Sequence, residues 1–241
     1  MADRIDAVLD HVAIAVPDWA EAERRWRDEL GGGRSSRGEN PTFGSRQLQF
    51  ANGGKLELLT PGAEGPGNFV QRFLDRFGSV VHHVTLKVPE LHAALDILAG
   101  AGLEAVDVQD DLDYWKEAFL RPSQIGGLVV QIAQTPYDDE AWARATGFTR
   151  EAPRDGAATL IGPLLRHSDL DRARATWTAL GATIAEDCGR LRCTWPHSPL
   201  TVTIEDGEHP GPVALLMRGT TTALPPDPRL GPAVLAAPSD A

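Results

Sequence analysis

Four side chains of ligand or proton-transfer type stand out by their spacing: His11, Glu57, His83 and Gln131. His11 precedes Glu57 by 46 residues, and His83 precedes Gln131 by 48. Two imidazoles and a carboxylate suit one divalent ion of the Zn, Co, Ni, Mn or Fe kind. Gln131 either adds a neutral amide oxygen or stands just outside that set. A single histidine on a strand is more often a hydrogen-bonded core residue than a ligand. A carboxylate in an apolar strand is harder to dismiss, because an unpaired buried charge is costly.

The elements that must position these residues appear when the chain is compared with itself. Residues 9–22, LDHVAIAVPDWAEA, align without gaps on residues 81–94, VHHVTLKVPELHAA, at a constant offset of 72. His11 falls on His83, Val12 on Val84, Val16 on Val88 and Pro17 on Pro89. Each copy opens with an alternating strand, Val12, Ile14 and Val16 facing away from His11, Ala13 and Ala15. His82 must therefore face away from His83 and is read as structural or supporting. Pro and an acid then lead into a helical pattern that ends in Gly, as helix start and stop signals require. The copies close with GGKLELLTP and IGGLVVQIAQTP, which carry Glu57 and Gln131 inside apolar strands. Each copy reads as β-α-β-β-β, and pairing two of them about a pseudo-twofold axis brings the four polar positions into one concave sheet.

A third copy follows, with LLRHSDLDRARATWTALGA supplying strand, acid and helix and GPVALLMRG read as its closing strand. Gly162 then stands in the place of His11 and Ala214 in that of Glu57, so the scaffold persists without the polar residues. The expected fold is α+β: paired β-α-β-β-β modules forming a cup-shaped mixed sheet, with a third degenerate module. The two-module domain covers residues 1–134, its modules spanning roughly 8–62 and 80–134. A linker covers 135–157, the third module 158–219, and a flexible Pro- and Ala-rich tail 220–241.

The net charge of the 241 residues is −11, with 34 acidic against 23 basic side chains. This excludes a nucleic acid or an anionic membrane as partner, since both need clustered cations. Cys188 and Cys193 are too few for a disulfide framework or a four-cysteine zinc site. MADRIDAVLDHV has acids where a signal peptide needs an apolar run, and no stretch approaches the ~20 apolar residues of a membrane span. The expectation is a cytoplasmic protein that acts on a small molecule. The third module either packs on the other two or replaces a subunit contact, so a homodimer is one arrangement that fits.

The segments LDHVAIAVPD, KLELLTP, HHV after NFVQRFLDRFG, and FLRPSQIGGLVVQIAQ resemble the vicinal-oxygen-chelate superfamily. That superfamily includes glyoxalase I, methylmalonyl-CoA epimerase, extradiol dioxygenases and bleomycin-resistance proteins. The likeness is strongest to the epimerase group and covers residues 8–135. It implies that His11, Glu57, His83 and Gln131 are the metal ligands. It implies an isomerase, epimerase or lyase that acts on a small carbonyl compound or acyl thioester through a metal-stabilised enolate. The family pattern places proton-transfer carboxylates at Gln47, in SRQLQFA, and at Gln131. Both are amides here, which accept no proton near neutral pH. Proton transfer then falls to the segment DDLDYWKEAFLRPSQIGG, where Asp113 and Glu117 stand beside Gln47 as catalytic candidates. Tyr114, Trp115, Lys116 and Arg121 of the same segment are the expected substrate contacts, Arg121 as a carboxylate or phosphate anchor.

Two other classes compete. A non-haem Fe(II) dioxygenase also uses two histidines and a carboxylate, but in this superfamily the carboxylate comes from the strand that here holds Gln131. A non-catalytic binding or resistance protein would not need His11, Glu57 and His83. Gly31, Gly32 and Gly33 follow a helix and not a strand, so they end it and form no dinucleotide loop. Trp19 and Trp26, seven apart on that helix, are packing residues.

Overall fold

The computed structural model describes residues 4–63, 68–219 and 223–237. The first repeat starts with β1 (Val8–Ala15) and α1 (Trp19–Glu23), whose Asp18 cap accepts a hydrogen bond from the Glu21 backbone at 2.9 Å. Helix α1 runs directly into a π-helical turn (Arg24–Glu29), which the hydrophobic spacing does not reveal. Gly31 ends it with φ +83°, the left-handed value expected of a glycine terminator. Strands β2 (Gly33–Glu39), β3 (Phe43–Gln49) and β4 (Lys55–Pro61) complete the module.

Helix α2 (Phe69–Phe77) leads to the second repeat: β5 (Val81–Lys87), α3 (Leu91–Gly100), β6 (Ala105–Gln109), β7 (Lys116–Leu120), the single turn α4 (Pro122–Ile125) and β8 (Val129–Gln134). After α5 (Asp139–Thr146) come β9 (Thr159–His167), α6 (Leu170–Ala179), β10 (Thr183–Asp187), β11 (Arg190–Thr194), β12 (Thr201–Asp206), β13 (Gly211–Arg218) and β14 (Ala233–Ala236). The strands form an eight-stranded sheet, β2-β3-β4-β1-β5-β8-β7-β6, and a six-stranded sheet, β10-β11-β12-β9-β13-β14. The architecture is α+β with paired modules, as the repeat predicts.

In each module the closing strand runs parallel to the opening one: β4 to β1, β8 to β5 and β12 to β9. This corrects the third module. Its closing strand is β12, TVTIED, and not GPVALLMR, which is β13. Thr203 pairs with Leu164 as Glu57 pairs with Ala13, so Thr203, not Ala214, occupies the place of Glu57. Strand β13 pairs in parallel with β14, as β5 does with β8, so the pair is an abbreviated fourth module.

By their contacts the residues fall into two units. One gathers the residues up to Asp10, His83–Tyr137 and Pro163–Val213. Leu86, Leu98, Ala118, Leu120, Val130, Ile132, Trp177, Val202 and Ile204 are buried in it. Burying each such Leu or Ile is worth about 1.5–3 kcal/mol relative to leaving it exposed. Ser198 Oγ donates to the Leu9 carbonyl at 2.6 Å, tying the N-terminal stretch to the turn before β12.

The other unit gathers His11–His82, Asp138–Gly162 and the chain from Ala214. Here two expectations are overturned. The segment read as a linker holds α5 and is fixed to β4, where the buried Lys55 ammonium meets Asp139 at 2.8 Å. It is also fixed to β2. A Cβ on Gly33 would stand 2.3 Å from the Glu151 carbonyl oxygen, so only glycine permits that approach. The segment read as a flexible tail contains β14 at Ala233–Ala236 and a loop with three backbone acceptors. Trp26 Nε1 donates to Leu230 O at 2.6 Å, Ser79 Oγ to Pro228 O at 2.5 Å, and Arg25 to Pro225 O at 3.3 Å. A buried indole N–H and serine hydroxyl need acceptors, and this loop provides them.

Candidate metal centre

Register fixes which side chains share a face, because residues paired across a sheet project to the same side. In β1 and β4, His11 lies opposite Lys55 and Ala13 opposite Glu57. In β3, Gln47 lies opposite Glu57. Small Ala13 and Ala15 leave room, and with Leu59 and Val70 they form an apolar floor that Phe43, Phe69, Phe73 and Leu74 extend. His11 is 3% exposed, and its Nε2 stands 3.5 Å from Glu57 Oε2. On its other side, Nδ1 lies 3.4 Å from Gln47 Nε2. Gln47 therefore borders an imidazole, the position of a supporting residue.

With His83, which is 5% exposed, these two residues make a group whose nitrogen and carboxylate oxygen atoms all lie within 4.8 Å of one another. Two imidazoles and one carboxylate are a donor set that first-row divalent ions accept, so the residues fit the expected cofactor. His82, the neighbour of His83, packs at a tilt against Phe69 and Phe73, with ring centroids 5.9 and 4.5 Å away. Burial lowers its pKa to about 4, only partly opposed by the Glu57 charge, so it is a neutral packing residue.

Gln131, the expected fourth ligand, has both ends of its amide engaged. It is buried, and its Oε1 accepts a hydrogen bond from Thr85 Oγ1 at 2.5 Å. Its Nε2 donates to Glu117 Oε2 at 2.6 Å. The same Glu117 oxygen accepts from Trp115 Nε1 at 2.7 Å. Strand register makes this possible: Thr85 pairs with Gln131, and Gln131 with Phe119, two residues from Glu117. Thr85 went unnoticed in the sequence, although it lies two residues after His83 and so on the same face. Lys55 was missed too, though it stands two residues before Glu57.

The remaining candidates divide. Trp115 and Glu117 are brought together, whereas Lys116 alternates to the opposite face of β7. Asp113 and Tyr114 sit in the exposed turn before β7, Tyr114 at 48% exposure. Arg121 is exposed at the start of α4, its backbone N–H bonded to Gln124 Oε1 at 3.1 Å. The structure therefore does not gather Asp113, Tyr114, Lys116 and Arg121 about Glu117. Among the described residues no helix is long and apolar enough to cross a membrane.

A family described as a glyoxalase-like domain matches residues 9–183, most of the chain and all the residues above. The chain belongs to the glyoxalase-like domain family. This places it in the vicinal-oxygen-chelate superfamily that its motifs resemble. Among relatives of this glyoxalase-like chain, the mitochondrial methylmalonyl-CoA epimerase of Mus musculus is 33% identical over 132 residues, 52% of this chain and 72% of that one. The ethylmalonyl-CoA/methylmalonyl-CoA epimerase of Cereibacter sphaeroides is 30% identical over 131 residues, 52% of this chain and 96% of that one. A hypothetical protein from Staphylococcus aureus shares the fold across 96% of this chain and 100% of its own, with TM-score 0.63 at 12% identity. The methylmalonyl-CoA epimerase of Mycobacterium tuberculosis covers 59% of this chain and 97% of its own, with TM-score 0.50 at 23% identity.

Proposed function

We propose that this glyoxalase-like protein is a metal-dependent isomerase, epimerase or lyase that activates a C–H bond beside a carbonyl, in a small carbonyl compound or acyl thioester. The observation that carries this reading is the pairing of buried His11 with the partly buried Glu57, 3.5 Å apart, in a group with His83. A buried carboxylate is costly unless it is paired or coordinates a cation, and a buried histidine beside it meets that need only in part. His11, Glu57 and His83 would hold one divalent ion through two nitrogens and one carboxylate oxygen. Such an ion polarises a carbonyl and lowers the cost of negative charge developing on its oxygen.

The chain's own residues do the rest. Gln47 borders the His11 ring at Nδ1, the nitrogen turned away from Glu57, and would support the ring while Nε2 faces Glu57 and the ion. Gln131 is a positioning residue in this reading, because its amide is engaged by Thr85 and Glu117. Ala13, Ala15 and Leu59 keep the floor apolar, so an opposed charge is felt more strongly than in water. The relatives named as acyl-CoA epimerases support an acyl thioester as substrate. The test is metal analysis by mass spectrometry on protein purified without a tag or chelator. About one divalent ion per chain, lost in His11→Ala and His83→Ala and kept in His197→Ala, is expected. Equal metal content in all three would overturn the assignment.

A further inference from the structure

Carbon-acid chemistry needs a group that takes the proton, and the strands around the centre carry few. Strands β5, β7 and β8 hold one carboxylate, Glu117. In β1, β3 and β4 the carboxylates are Glu57, in the group with His11 and His83, and Asp10, which pairs with Lys87 at 3.0 Å. The position where a second carboxylate would be expected is the amide Gln47, bonded to His11.

Glu117 is held in place by two donors. Its Oε2 receives both of its hydrogen bonds, from Gln131 Nε2 at 2.6 Å and Trp115 Nε1 at 2.7 Å. Gln131 is held in turn by the Thr85 hydroxyl at 2.5 Å, which fixes the orientation of its amide. A chain of donors therefore runs from Thr85 through Gln131 to one carboxylate oxygen. Among the described residues, Oε1 has no hydrogen-bond partner. Two N–H donors aimed at one oxygen lock the rotamer and leave the other oxygen to act. The face is also the correct one: Thr85 follows His83 by two residues on β5, so His83, Thr85, Gln131 and Glu117 project to the same side.

We infer that Glu117 is the only proton-transfer base of this centre among the described residues, with Gln131 and Trp115 as its positioning residues, so the protein exchanges a proton on one face of its substrate and does not invert the carbon. This rests on the metal-dependent reading above and narrows it to the isomerase or lyase, leaving out the epimerase. Glu117 Oε1 takes the proton from the carbon beside the carbonyl. The C–H electron pair becomes a C=C bond, and the carbonyl π pair moves onto oxygen. In the reverse step these pairs return and Glu117 gives a proton back. With one base and an enolate held in one orientation, the proton returns to the face it left, so the configuration is kept.

Each enantiomer of methylmalonyl-CoA, incubated in D2O with the metal-loaded native chain, tests this. Deuterium should enter at C2 with the starting configuration retained. Glu117→Gln should slow exchange about 10²–10⁴-fold, the span of general-base catalysis. It should keep the metal, and the Trp115 indole N–H resonance should move upfield as its carboxylate acceptor is lost. Trp115→Phe should slow exchange by a smaller factor with little change in KM. Racemisation by the native chain, exchange that survives Glu117→Gln, or metal loss in that variant would overturn the inference alone. No exchange by the metal-loaded native chain would overturn both it and the function proposed above.

Discussion

Removing His83 should uncouple the protein's heat stability from divalent metal. A structural zinc site contributes about 10–16 kcal/mol of binding free energy, or roughly 3–4 kcal/mol per ligand when three or four share it. Losing one ligand of that size raises Kd about 10²–10³-fold, at 1.4 kcal/mol per decade. Metal at 100 times the native Kd stabilises the folded chain by about 2.7 kcal/mol. For a domain of this size each kcal/mol moves Tm by about 2–4 °C, so the native protein should gain roughly 5–10 °C. In His83→Ala the same concentration is no more than about equal to Kd, leaving at most ~0.4 kcal/mol and a shift of 1–2 °C. Differential scanning calorimetry with and without metal measures both. His197→Ala, an exposed histidine on the turn before β12, should shift like the native chain. Equal metal-induced shifts in the native chain and His83→Ala would refute the assignment of His83 to the centre.

Other expectations follow from the packing and the thiols. Gly33→Ala places a methyl 2.3 Å from the Glu151 carbonyl oxygen, so thermal unfolding should show a loss of about 1–3 kcal/mol or more; an unchanged Tm would mean that the segment does not dock there. Trp26→Phe removes the 2.6 Å bond to Leu230, and hydrogen exchange across residues 223–237 should speed up about fivefold for ~1 kcal/mol lost. The exposed Cys188 has its pKa raised by Asp187, so Asp187→Asn should increase its thiolate and its alkylation rate at pH 8. Burial raises the Cys193 pKa from 9.0 to about 12, so the folded state keeps the thiol while the unfolded chain ionises. Stability from this source is full below pH 9 and should fall as pH climbs towards 12, a decline that Cys193→Val should lessen in alkaline denaturation curves.

The centre was legible because it is written twice. The gapless repeat fixed β1 and β5, and strand alternation then put His11 and His83 on equivalent faces. Glu57 followed from one carboxylate among the apolar residues of β4. What the repeat could not carry was the behaviour of an amide. Gln131 holds the right position, but its partners, Thr85 and Glu117, come from two other strands, and hydrogen-bond choice is settled only by packing. The third module misled for a related reason. GPVALLMR is apolar enough to read as a buried closing strand, whereas TVTIED alternates Val202 and Ile204 with polar residues and looks peripheral. The last residues resemble a disordered tail by composition, yet AVLA is one short strand. The loop before it is held by donors on Trp26, Ser79 and Arg25, which local sequence does not disclose.

The second sheet repeats the order of six strands of the first, β2-β3-β4-β1-β5-β8, and the residue in the place of His11 there is Gly162, with φ +138°. A residue with a side chain is strained at that backbone angle, so histidine cannot simply be substituted there. The duplicated scaffold is thus closed to a second centre by its main chain and not merely by its present side chains. Metal titration of the whole protein should saturate at half the number of its sheets, and acquiring another ion would require that strand to be rebuilt first.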